Sequence, residues 1–304
     1  MAALIHIDKL TRTYGDRCVL DGISFDLQPG EVLGFLGTNG AGKSTTMQII
    51  CGTLAPSSGE VTINGANLQN DPVTAKSHIG YLPETPPLYS EMRVDEYLAF
   101  CARLRKITPN KIPQAITQVK QRCGLESVGK RLIANLSKGY KQRVGIAQAI
   151  IHNPRVIILD EPTSGLDPNQ IQEIRNLIKS LASQCGILIS THILSEVQSI
   201  CTRVLILHQG DIVYRGAITP DDQHTLLVTL DGGSNCDYLS ELAGVCLVEQ
   251  VNKQQFRIQL SDTTIAADIA HAIITHGDRL HELRADHSSL EQTFSRLTLE
   301  DRNQ

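Results

Sequence analysis

The stretch Gly37-Thr38-Asn39-Gly40-Ala41-Gly42-Lys43-Ser44-Thr45 decides how the rest of the chain is read. It fits the pattern G-x-x-x-x-G-K-[ST] at every fixed position, the spacing of a loop that cradles phosphates. Glu31 to Leu36 precedes it as a short apolar run, which predicts a buried strand. Thr45 to Cys51 follows and predicts the opening of a helix. Backbone N–H groups and the positive end of a helix dipole suit a polyanion. Gly37, Gly40 and Gly42 admit backbone conformations closed to other residues and let the chain approach its ligand. Lys43 would bring a point charge to the β and γ phosphates of a nucleoside triphosphate, and the Ser44 hydroxyl a ligand for Mg²⁺. A glycine turn before a helix also arises by chance; the flanking strand and helix argue against that here.

The 304 residues suffice for a large core plus a smaller second unit. Hydrophobic content of 41% and charged content of 20% place the chain among soluble globular proteins. A net charge of -4 gives no support for binding nucleic acid through a basic surface. No apolar run approaches the roughly 18 residues of a membrane span. The opening Met1-Ala2-Ala3-Leu4-Ile5 lacks the basic region of a signal peptide, so a cytoplasmic protein is expected, with any membrane role supplied by a partner. The eight cysteines form no C-x-x-C pair, and free, mostly buried thiols are expected.

Along the chain, residues 3–9 and 18–27 alternate apolar and polar positions and predict an antiparallel layer. Tyr14, between them, could stack on a flat adenine ring or pack on the sheet edge; the residues alone do not choose. Short strands are predicted at 61–63 and 79–82. The second runs into Leu82-Pro83-Glu84-Thr85-Pro86-Pro87, a stiff connector. Helical spacing follows over 93–106 and 112–123 within a mostly helical insert, about 88–135. Ser137 is a good N-cap for a helix reaching Asn153. With Gly139 in its first turn, that helix offers a second set of bare N–H groups, although most capped helices bind nothing.

Residues 155–160 form a β-branched apolar run that ends in Asp160, with Glu161 next, and predict a strand buried on both faces. The carboxyl end of such a strand is where open α/β sheets bind ligands. There Asp160 could hold Mg²⁺ and Glu161 activate a water; the bland alternative is an acid pair at a strand end. Asp167 as N-cap and Pro168 at N1 predict a helix to about 183, and residues 186–190 another buried strand. His192, just past that strand, could contact a phosphate or be an ordinary polar residue.

Together these pieces resemble the nucleotide-binding subunit of an ATP-binding cassette (ABC) transporter, over roughly residues 3–218 and in the family's motif order. Residues 37–45 look like Walker A, Leu136-Ser137-Lys138-Gly139-Tyr140 like the signature motif, and 156–161 like Walker B. Residues 164–167, ending in Asp167, look like the D-loop. His192 matches the switch histidine, Tyr14 the adenine-stacking aromatic, and Glu84 the Q-loop position. Walker A alone is common; the signature at this distance before Walker B, followed by D-loop and histidine, is specific.

The resemblance implies a P-loop NTPase core with an antiparallel β subdomain and an α-helical subdomain (about 88–153) over residues 1–218, and a small α+β domain over 219–304. It implies ATP and Mg²⁺ as cofactors, with Tyr14, residues 37–45, Ser137, Gly139 and Asp167 on the nucleotide. Ser44, Glu84 and Asp160 would hold the metal, Glu161 would be the general base and His192 would place the γ-phosphate. The implied partners are an integral membrane permease and a second ATPase subunit, another copy of this chain or a different cassette, and no nucleic acid. The complex would sit on the cytoplasmic face of the inner (plasma) membrane.

Four residues depart from the usual pattern. Thr38 stands for Pro, Lys138 and Tyr140 replace Gly and Gln of the signature, and Glu84 replaces Gln, adding a negative charge beside a polyanion. Leu82-Pro83-Glu84 and the signature's form look like those of ATPases paired with ABC-2-type exporters. In the tail, strands are expected at 226–230, 246–251 and 255–260 and a helix at 264–276; residues 289–298 resemble the ending of drug-export ATPase subunits. The rivals are a soluble non-transport ABC ATPase and a regulatory module that only binds ATP.

Overall fold

Buried Ile5, Ile7 and Leu10 alternate with exposed neighbours, and this alternation makes the first segment a strand with one face on the core. The computed structural model describes residues 3–218 and, beyond them, 225–231, 237–242, 244–261, 266–285, 290, 294–295 and 297. Two units divide between Ala217 and Ile218.

In the first unit, β1 (Ile5–Tyr14) and β2 (Arg17–Leu27) form a hairpin. Its turn pairs Tyr14 with Arg17, so Tyr14 ends a strand rather than standing in a loop. β3 (Val32–Leu36) is buried throughout and leads into α1 (Lys43–Ile50). That helix opens two residues before the expected Thr45. β4 (Ser58–Ile63), β5 (Ala66–Asn67), the short α2 (Pro72–Ser77) and β6 (Ile79–Leu82) follow.

The helical insert holds α3 (Val94–Leu104) and α4 (Ile112–Cys123), which pack together and against α5 (Lys138–Ile150). A capping box starts α3, where the Arg93 N–H donates to Glu96 Oε2 at 2.9 Å. Ser137 caps α5. β7 (Val156–Asp160), α6 (Pro168–Ala182), β8 (Gly186–Thr191), α7 (Leu194–Ile200), β9 (Arg203–His208) and β10 (Asp211–Ala217) complete the unit.

Two sheets result. The antiparallel one runs β2-β1-β4-β5. The other runs β10-β9-β3-β8-β7-β6 and is parallel except for its edge strand β10. Strands of a parallel sheet covered on both faces have no solvated face, which is why β3, β7 and β8 are buried without alternation. The main core lies between the two sheets and takes in α1; Phe25 of one sheet and Phe35 of the other have ring centroids 5.3 Å apart.

The order β3-β8-β7 matters most for the site. It sets the carboxyl ends of three neighbouring parallel strands side by side, and these ends carry the glycine-rich loop, Asp160-Glu161 and His192.

The second unit is a four-stranded antiparallel sheet in the order β12-β13-β11-β14. Its strands are β11 (Thr225–Leu230), β12 (Val245–Gln250), β13 (Gln255–Leu260) and β14 (Leu280–Ala285), with α8 (Ala266–His276) between the last two. Val228, Phe256, Ile258, Ile269 and Ile273 lie at its core. Residues 264–265, where the tail helix is expected to begin, lie outside the described residues. Of residues 289–298 only Leu290, Phe294, Ser295 and Leu297 are described.

Of the seven cysteines described, five are buried, all are free, and Cys18 and Cys246 are exposed; Cys236 lies outside the described residues.

Candidate active site

The loop between β3 and α1 turns on glycine. Gly42 caps α1 at φ 108°, where a side chain would be strained, and a Cβ there would stand 2.7 Å from Leu20 Cδ2. A Cβ on Gly37 would collide with the Leu207 carbonyl. The loop therefore folds tightly against the sheet.

Lys43 folds back inside it. The buried ammonium donates to the Gly37 and Thr38 carbonyls at 2.7 and 3.0 Å. Burial lowers its pKa, while the charges of Glu161, Asp160 and Glu84 pull it back up. One cation thus faces three carboxylates.

Asp160, at the end of β7, is 4% exposed. Its Oδ1 accepts from Ser190 Oγ and, at 3.5 Å, from Ser44 Oγ. Glu161 follows with φ 47°, a left-handed conformation uncommon outside glycine. Its N–H is held by the Ser190 carbonyl at 3.2 Å and hydroxyl at 3.1 Å. Its Oε1 lies 2.9 Å from His192 Nδ1. Burial pushes the Glu161 carboxyl above its ordinary pKa, and the hydrogen bond and charge of His192 act in the opposite direction.

Except for Asp160, which meets the wall through Ser44, and Ser190, these groups open on one cleft of about 480 Å³. Tyr14, Asn39, Gly40, Gly42, Lys43, Ser44, Thr45, Glu84, Glu161 and His192 line it, and so do Ser164, the first residue of the stretch that looks like a D-loop, and Arg17 and Val19, which the sequence did not single out. Gly37 and Ala41 are buried and serve the loop's inner side; Thr38 offers its carbonyl to Lys43. Tyr14 is 47% exposed, and the Arg12 guanidinium sits 4.4 Å from its ring centroid. Arg12 is itself held by the Ala55 carbonyl at 2.9 Å.

Ser137, Gly139 and Asp167 are not in this cleft. They line a second one of about 350 Å³, with Arg143, Gln170 and Glu173 among its walls. There Ser137 Oγ accepts from the Tyr140 N–H at 3.4 Å, and Asp167 Oδ1 from the Gln170 N–H at 3.0 Å. Both side chains are spent on capping their helices.

A strand, a glycine turn and a helix N-terminus beside an acid-tipped parallel strand define a P-loop nucleotide-binding protein. The comparisons narrow that class. The family model described as ABC transporter matches residues 20–164. The chain is 31% identical over 294 residues to the uncharacterized ABC transporter ATP-binding protein YxlF of Bacillus subtilis (strain 168), covering 96% of this chain and 98% of that protein. It is 29% identical over 307 residues to the linearmycin resistance ATP-binding protein LnrL of the same organism, covering 97% and 98%. A solved ATP-binding subunit of an ABC transporter superposes with a TM-score of 0.65 at 34% identity, covering 71% of this chain and 90% of that one. The chain belongs to the ATP-binding proteins of ABC transporters, the subunits that hydrolyse ATP to power transport. Among the described residues no helix is long and apolar enough to cross a membrane.

Proposed function

We propose that this chain works in pairs on the cytoplasmic face of the membrane, where it drives an ABC-2-type export permease. The observation that carries the pairing is the separation of the two clefts. Lys43 and Glu161 line one, and Ser137 and Gly139 line the other. The first presents the N-terminus of α1 and the second those of α5 and α6, so a triphosphate held between two chains would meet both sets of amides. Two chains set head to tail would close both sites, each ATP lying between one subunit's residues 37–45 and the other's Ser137, Gly139 and Asp167. Support for export comes from a relative, similar along nearly its whole length, that is named for linearmycin resistance.

In this reading Tyr14 stacks on the adenine, Lys43 and the loop amides hold the phosphates, and His192 holds the γ-phosphate in line. Glu161 takes the proton of the attacking water. A carboxyl whose pKa is raised by burial is a better base near neutral pH than an ordinary one. Ser44, Asp160 and Glu84 supply only oxygen donors, the set a magnesium ion takes, and these residues would hold one. Bound there, Mg²⁺ would neutralise phosphate charge.

Tyr14→Ala is expected to weaken ATP binding by about 1–3 kcal/mol, the usual worth of a base on an aromatic ring, and to leave kcat nearly unchanged; a nucleotide titration beside steady-state rates reads both. The reading as a whole is tested by reconstituting the full chain with a membrane protein of ABC-2 type. ATP hydrolysis should rise on reconstitution. Turnover indifferent to such permeases but stimulated by ribosomes or DNA would replace it with a non-transport ATPase.

A further inference from the structure

Outside the groups already assigned, one buried side chain stands apart. Glu196 lies in the first turn of α7 and is 3% exposed. Among the described residues no Lys, Arg or His pairs with it. Both its oxygens accept from hydroxyls instead. Oε1 takes the Thr163 Oγ1 proton, and Oε2 takes that of Thr191 Oγ1 at 2.7 Å. The two threonines are themselves buried. Burying a carboxylate without a cation is costly, and here both of its oxygens are used as acceptors by the two hydroxyls, of which a glutamine would keep only one. A charge kept there at that cost calls for a reason.

The placement of the threonines supplies one. Thr163 lies two residues after Glu161, and its carbonyl accepts from Leu166 N at 3.2 Å, so it shapes the turn that leaves β7. Thr191 ends β8 immediately before His192, and its hydroxyl also accepts from Ile193 N at 3.1 Å. Glu196 therefore ties together the two loops whose side chains meet at Glu161 and His192. The Glu161 backbone is already in a left-handed conformation, which persists only where its surroundings fix it.

We propose that Glu196 is a positioning residue for ATP hydrolysis, a buried carboxylate strap that holds Glu161 and His192 in mutual register through Thr163 and Thr191. Substrate never touches it. The proposal rests on Glu161 and His192 acting on the water and the γ-phosphate.

The test is steady-state ATP hydrolysis by the full chain carrying Glu196→Gln, Thr163→Val or Thr163→Ser. Small misplacements of reacting groups cost up to about a hundredfold. The first two variants should accordingly lose about ten- to a hundredfold in kcat with the KM for ATP within about twofold. Thr163→Ser keeps the hydroxyl and should stay close to the parent. The double variant Glu196→Gln/Thr163→Val should lose no more than the worse single one, since both cut one link. A kcat within about twofold of the parent in both single variants overturns the proposal. So does a Thr163→Ser as slow as Thr163→Val, or a KM that rises in step with the fall in kcat. Should Glu196→Gln not fold, the Thr163 pair decides alone. Glu161→Gln is the control. If it turns over normally, the base assignment falls and the strap with it; if it is inactive while the strap variants are normal, only the strap falls.

Discussion

Glu161→Gln protein is expected to bind ATP about as well as the parent, to lose roughly 100- to 10,000-fold in turnover, and to accumulate as an ATP-bound pair of subunits. The substitution keeps the size and shape of the side chain and a polar atom facing His192 Nδ1, now 2.9 Å from Glu161 Oε1. It leaves Lys43 and its two carbonyl partners alone, and with them the phosphate-holding loop. What it removes is the group that can accept a proton. Burial raises that group's pKa, and the backbone that presents it is held at φ 47° by the Ser190 carbonyl and hydroxyl. The amide also takes one negative charge out of a cleft that must close around a polyanion, which favours the ATP-bound pair further. Phosphate release measures the rate; light scattering with and without ATP measures the pairing. Turnover at the parental rate would remove Glu161 from the mechanism.

The sequence announced this site wherever local chemistry and tertiary position coincide. Residues 156–160 are apolar at every position until Asp160, because β7 is covered on both faces, and such a run needs no knowledge of the rest of the chain. The glycine loop is legible for the same kind of reason: its backbone path admits few residue types. It also misled slightly, because Gly42 at φ 108° caps the helix directly and α1 begins at Lys43 rather than at Thr45.

Residues whose surroundings come from far away gave no such signal. Glu196 sits in the mixed run Leu194-Ser195-Glu196-Val197, and it is the packing of α7 against β3, β8 and α6 that buries it beside Thr163. Arg17 reaches the cleft only because a hairpin brings it there. In the tail, β14 lies at one edge of its sheet, and its two leucines, Leu280 and Leu283, stand three residues apart among charged and polar neighbours, so the period-two signal of a strand is missing.

The role of the loop is separable from that of the base, and Lys43→Ala separates them. Where Glu161→Gln spares binding, Lys43→Ala is expected to abolish most of it. A hydrogen bond to a charged group is worth about 1.5–3 kcal/mol, so losing even one phosphate contact costs roughly ten- to a hundredfold in affinity. The protein loses more than the contact. Lys43 is the cation set among Asp160, Glu161 and Glu84, and without it less positive charge offsets these three carboxylates as the polyanion enters. Glu84 makes this worse than a glutamine would.

The variant's fold should survive, because Gly37 and Gly42 set the loop's path through close packing that does not involve the ammonium. The readout is therefore the ATP-induced rise in unfolding temperature. A ligand at 100 times its Kd stabilises by about 2.7 kcal/mol; after a ten- to hundredfold loss of affinity that gain should fall to about 0.4–1.4 kcal/mol in Lys43→Ala at the same ATP concentration. Lys43→Arg refines the result. It keeps the charge but places a planar fork where a compact ammonium donates to two carbonyls at 2.7 and 3.0 Å, so it should recover little. An undiminished ATP-induced shift in Lys43→Ala would show that the phosphates are held by the loop's amides alone.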